Sequence, residues 1–186
     1  MTRRLGARLV DRRLAGQLGN AVFSALAREV PPIRPPESLR GRVVGSAAAA
    51  PFAPFISRLG HLFDLRAEAV ERVLSGLGGD GAWQPLSDGV ELVHVAGGKA
   101  TARADVGLVR LAPGATFPRH THLGPERVLV LQGVLEEPDG RRFGPGSLID
   151  AAGGTEHHVR SVGVEPLVWA VVVFGVKIEG IELPPD

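Results

Sequence analysis

The hydrophobic period of the chain changes once, at Trp83, and that switch decides which architectures are open to it. Before it, apolar residues recur every three to five positions; after it they fall in short runs with a period near two. A helix repeats its faces every ~3.6 residues and a strand every second residue, so the two halves call for different elements. The runs Val90 to Ala96, Ala104 to Leu111, Arg127 to Leu131, Ser147 to Asp150, His157 to Val162 and Leu167 to Phe174 are punctuated by Gly, Pro and Asp. Eight or more short strands with regular turn signals fit a closed double-sheet barrel or jelly roll, because closure removes exposed strand edges. The expected fold is mainly β, with a helical N-terminal segment over 1–80 and a β-barrel domain over 81–186.

Within the first segment, Leu5, Leu9, Leu14, Leu18, Val22, Ala25 and Leu26 predict one amphipathic helix, or two short ones, over 5–30. Val30-Pro31-Pro32-Ile33-Arg34-Pro35-Pro36 reads as a stiff connector, since proline lacks the amide hydrogen and restricts its predecessor. A helix is expected from Glu37 to Ala50, broken by Pro51 and Pro54, followed by helices over Phe55 to Phe63 and Asp64 to Leu77. Asp64 is the expected N-cap of the last of these. Gly78-Gly79-Asp80-Gly81 ends the helical part.

The chain has no cysteine, which excludes disulfides, thiolate metal sites and thiol nucleophiles and fits a reducing compartment. It has no tyrosine, which excludes a phenolic acid or base. The apolar run Pro166 to Val176 is about half the length of a membrane helix and reads as a buried strand. Arginines and Asp11 interrupt any secretory core near the N-terminus, so a cytoplasmic protein is expected. Net charge is only +1, yet residues 1–50 hold nine Arg against three acids and residues 81–186 nine Lys or Arg against thirteen acids. Such asymmetry suits an arginine-studded solvated helix face, or a basic arm that contacts nucleic acid or an acidic protein partner. Direct nucleic-acid binding is not expected, nor is membrane association.

His120 and His122 stand two apart, which on a strand turns both imidazoles to one face. After the Leu123-Gly124-Pro125 break, Glu126 opens an apolar strand and can return a carboxylate to the same depth. His157 follows a hairpin centred on Pro138-Asp139-Gly140 and a Gly144-Pro145-Gly146 turn, where an antiparallel strand comes back beside the first. Three imidazoles and one carboxylate make a borderline donor set that suits zinc, iron(II), manganese, nickel or copper. His158 is expected to point away from the ion, His61 and His94 to be ordinary helix and strand residues, and Trp169 to be core. Arg110, Arg119 and Arg127 would bind an anion only if they faced the cavity, and the last two are expected in solvent. Leu129 and Leu131 offer a dimer surface unless residues 1–80 bury them.

Gly114, His120-Thr121-His122, Glu126 and Gly133 reproduce every spacing of the first cupin signature, and Gly146 through Gly154 to His157 resembles the second. The second departs at Ala152, where the family usually has proline, and Ser161 stands where asparagine is common. Over residues 82–176 the chain thus resembles the cupin superfamily, with its RmlC-like double-stranded β-helix barrel. The resemblance implies a metal in the barrel interior, held by His120, His122, Glu126 and His157. Across the whole chain, a helical segment, an Arg- and Pro-containing connector ending Pro35-Pro36-Glu37-Ser38-Leu39-Arg40-Gly41-Arg42-Val43-Val44 and a single barrel are similar to the ChrR-like zinc-dependent anti-sigma factors. In that group the helical part holds a sigma factor through a segment with a His-x3-Cys-x2-Cys zinc motif, which this cysteine-free chain lacks.

These readings imply a metal-binding regulatory or stress-sensing cupin, with zinc ranked first and iron, manganese or nickel behind it. Its expected partners are a protein on the helical segment, a small molecule in the barrel and a second copy of the chain. The alternative is a metal-dependent cupin dioxygenase or isomerase acting on a small organic acid or diketone.

Overall fold

A computed structural model describes residues 36–181; the expected helix over 5–30 and most of the proline connector lie outside the described residues. Among the described residues, three helices come first: α1 (Glu37–Ala49), α2 (Ile56–Phe63) and α3 (Ala67–Gly76). Pro51 and Pro54 tighten the chain between α1 and α2 into a 3-10 segment, Ala50–Phe55. The expected role of Asp64 is corrected. It ends α2 in the left-handed region at φ 56°, and α3 starts instead from Arg66 in extended backbone with no side-chain cap. Aspartate tolerates that conformation. Its carboxylate accepts the Ala100 amide hydrogen at 2.9 Å, a partner 36 residues away.

Eleven strands follow among the described residues, all paired antiparallel. They are β1 (Gln84–Ser87), β2 (Val90–His94), β3 (Asp105–Leu111), β4 (Thr116–His122), β5 (Glu126–Gln132) and β6 (Val134–Glu136). Then come β7 (Arg142–Phe143), β8 (Leu148–Ala151), β9 (Glu156–Val162), β10 (Leu167–Val173) and β11 (Val176–Ile178). One sheet has the order β1-β2-β3-β10-β5-β8 and the other β11-β4-β9-β6-β7. This mainly β, two-sheet arrangement preceded by helices is the architecture expected from the period switch.

The six-stranded sheet is buried on both faces, which explains its continuous apolar runs. On its inner face Val109, Val128, Val130, Leu167 and Trp169 join Phe117, Leu135 and Val159 from the other sheet. On its outer face Leu108, Leu129, Leu131, Val168, Ala170 and Val172 pack with Leu59, Phe63, Val70 and Leu74 of the helices. Leu129 and Leu131 are therefore covered by helices of the same chain and offer no free dimer surface. Where β5 turns into β6, Gly133 holds φ at 72°, and a Cβ there would sit 2.7 Å from the Pro166 carbonyl oxygen. Only glycine fits both demands.

Candidate metal centre

The site lies on the inner wall, where parity brings its donors together. His120 of β4 pairs directly with His157 of β9, and Phe117 pairs with Val159. Two residues separate Phe117 from His120 but only one separates His157 from Val159, so β4 carries a bulge at Pro118 and Arg119. That extra residue lets Phe117, His120 and His122 all face inward, although strict alternation would put Phe117 opposite the histidines. Glu126 shares the inward parity of Val128 and Val130 on β5, and pairs with Val173.

One donor atom from each of His120, His122, Glu126 and His157 lies within 4.8 Å of all the others. His122 Nε2 stands 3.2 Å from Glu126 Oε2, and His157 Nε2 stands 4.0 Å from the same oxygen. These separations are on the scale set by metal bonds of about 2.0–2.2 Å. The two histidines of β4 are buried and the other two residues half-buried.

The outer nitrogens fix the tautomers. His120 Nδ1 bonds the Pro118 carbonyl at 2.9 Å, and His157 Nδ1 bonds Glu137 Oε2 at 2.9 Å. Both acceptors lack a hydrogen, so each Nδ1 donates. His122 Nδ1 meets Thr155 Oγ1 at 2.9 Å, and that hydroxyl already gives its hydrogen to the Ala152 carbonyl at 2.6 Å, so here too Nδ1 donates. All three imidazoles thereby turn an Nε2 lone pair to the centre. His122 Nε2 and His157 Nε2 are buried with no hydrogen-bond partner, a costly state unless a cation accepts their lone pairs. The cluster fits a divalent metal ion.

The environment splits the histidines. Burial pushes His120 below the usual histidine range; its bond to Pro118 opposes this, and the neighbouring His157 and His122 add to it. Burial also works against protonated His157, but the hydrogen bond and charge of Glu137, with Glu126 behind it, outweigh burial and raise that group. Glu137 and Thr155 were not among the residues singled out from sequence. Glu137 was within reach of a parity argument, since Leu135 two residues earlier is inward. Thr155 had no such signal.

Trp169 is core, stacking edge-on with Phe117 at 5.7 Å, and also lines a cavity of about 460 Å3 that reaches His120, Glu126 and His157. None of the three arginines lines it: Arg110 pairs with Glu91, Arg119 with Glu156 and Arg127 with Asp150. Arg110 also lies over the Trp83 ring at 4.4 Å. His61 bonds its own helix at Ser57 on an exposed face, while His94 is exposed at the cavity rim.

A small two-sheet barrel with His-x-His, Glu and a distant His on its inner wall is a cupin. Residues 79–173, half of the chain, match the family model for the ChrR Cupin-like domain, and the chain belongs to that family. Among solved structures it is similar to Rhodobacter sphaeroides SigE in complex with the anti-sigma ChrR, at 26% identity over 87% of this chain and 80% of that one, with a TM-score of 0.47. It is also similar to KdgF from Halomonas sp., at 23% identity over 50% of this chain and 86% of that one, TM-score 0.43. A third likeness is an acetylacetone dioxygenase from Acinetobacter johnsonii, at 16% identity over 54% and 73% of the two chains, TM-score 0.46. No curated protein sequence matches the chain. Among the described residues, no helix is long and apolar enough to cross a membrane.

Replacing Glu137 tests the outer ring of hydrogen bonds. Glu137→Ala removes the acceptor that orients His157, and metal affinity is expected to fall about 10–100-fold, as titration against a chromogenic chelator would read. Unchanged affinity would mean that the Glu137 bond does not contribute to holding His157 on the ion.

Proposed function

We propose that the chain is a regulatory cupin whose barrel holds one divalent transition metal ion, with His120, His122, Glu126 and His157 as its ligands and zinc as the resident ion. The observation that carries this reading is the pair of buried Nε2 atoms, on His122 and His157, that face a carboxylate without a hydrogen-bond partner. A neutral imidazole and a carboxylate are the donors zinc takes, and iron(II), manganese and nickel compete for the same set. When bound, the ion supplies a Lewis acid at the inner end of the cavity.

The regulatory role is supported by what surrounds the donors. The further acid that lines the cavity beside them, Glu137, is held by His157, and the other titratable groups among the described lining residues, Asp105 and His94, are exposed at the rim. Functionally, residues 81–186 form the metal domain, and residues 1–80 carry the surface for a protein partner, a sigma factor in the ChrR-like arrangement, in the cytoplasm. That contact has to be made without a cysteine zinc site, because the chain has no cysteine. The second reading, a metal-dependent dioxygenase or isomerase, is favoured by one feature: the cavity gives a small molecule room beside His120, Glu126 and His157.

The test is elemental analysis of protein purified without added metal, followed by calorimetric titration with a purified sigma factor before and after chelation. One equivalent of metal and a complex that chelation weakens are expected. Metal-dependent substrate or oxygen consumption with no sigma-factor binding would overturn the regulatory reading in favour of the enzyme.

A further inference from the structure

We infer that the barrel cavity selects uncharged, largely apolar molecules that carry a single oxygen donor, and rejects organic acids. This deepens the metal reading and rests on it for where the donor end of the molecule sits. The cavity, at about 460 Å3, falls within the range of small-molecule sites, roughly 300–1,000 Å3. Its walls are apolar: Leu92, Phe117, Val128, Ile149, Trp169 and Val171 come from both sheets. Its ionisable lining is one-sided. Glu126 and Glu137 lie at the metal cluster with His120 and His157, and Asp105 and His94 are exposed at the rim.

Among the described residues no lysine or arginine lines the cavity, so an incoming carboxylate meets no cationic side chain there. A divalent ion balanced by Glu126 and Glu137 is already neutral as a unit. A carboxylate at the ion would bring a third negative charge beside Glu126 and Glu137 among apolar walls, with no cationic side chain among the described lining residues to offset it, a costly arrangement. A ketone, alcohol or ether carries an oxygen donor without that charge, and its hydrocarbon body buries against Trp169 and its neighbours.

A matched pair of probes reads this directly. Metal-saturated protein is titrated calorimetrically with octan-2-one and with octanoate, with metal content measured on the same samples. The ketone is expected to bind about tenfold or more tightly than the acid, as the cost of burying an unpaired charge dictates. Glu137→Gln, assayed at saturating metal, is expected to narrow that ratio, because it removes one of the two negative charges facing the donor end. Ile149→Trp fills the cavity from an edge strand and is expected to weaken the ketone while leaving metal content at one equivalent. In the protein with Ile149 intact, tryptophan fluorescence gives a second readout, since Trp169 lines the cavity and Trp83 does not, so a poorly folded Ile149 variant does not decide the matter. Octanoate binding as tightly as the ketone, or neither probe binding to protein that retains its metal, would overturn the inference. Absence of metal sinks the metal reading instead; the apolar, cation-free walls still predict preference for the ketone in that case.

Discussion

Chelation of the metal is expected to lower the melting temperature by roughly 8–16 °C. An ion that binds only the folded chain stabilises it by about 4 kcal/mol when present at a thousandfold over its dissociation constant. For a domain of this size each kcal/mol moves the midpoint by about 2–4 °C. His122→Ala should reproduce the loss and abolish metal binding, because His122 is buried, faces Glu126 at 3.2 Å and is held by Thr155. The diagnostic outcome is the combination. Chelator should have no further effect on the His122 variant, whereas an equal chelator shift in both proteins would place the ion elsewhere. Scanning calorimetry with elemental analysis of each sample makes the comparison.

Leu59→Ala is expected to cost about 3 kcal/mol, within the range for emptying a buried leucine site, and so to lower the midpoint by roughly 6–12 °C. Leu59 is fully buried on α2, in the core shared with the outer face of the six-stranded sheet. It belongs to the core on the outer face of the sheet, whereas the donors lie on the cavity side, so metal content should stay at one equivalent. Val43 is the internal control: it is 59% exposed on α1, and Val43→Ala should leave the midpoint nearly unchanged. If Leu59→Ala melted like the unsubstituted protein, the helices and the sheet would not share one cooperative core.

The β architecture was legible because burial is recorded in the period. Runs such as Leu167 to Val173 are apolar at every position since helices cover one face and the barrel interior the other. The meeting of His120, His122, Glu126 and His157 was legible from spacing, because His-x-His, a short break and a returning strand leave few ways to avoid one another. What was not legible depends on distant partners. Asp64 looks like a helix N-cap locally, but the amide of Ala100 holds its carboxylate at the end of the preceding helix. The bulge at Pro118 and Arg119 is likewise invisible until β9 is laid beside β4 and one strand is found a residue longer. Thr155 acquires its role only through the Ala152 carbonyl, which consumes its hydrogen and leaves the oxygen free to accept from His122. A serine or threonine near a signature histidine says nothing of that orientation by itself.

Trp169 and Ala170 are consecutive in β10, yet the first faces the hollow interior and the second supports the helices. A partition one backbone thick therefore separates whatever fills the barrel from the layer outside. Any tilt or slide of β10 that accommodates a guest shifts, in the same movement, the bed on which α2 rests.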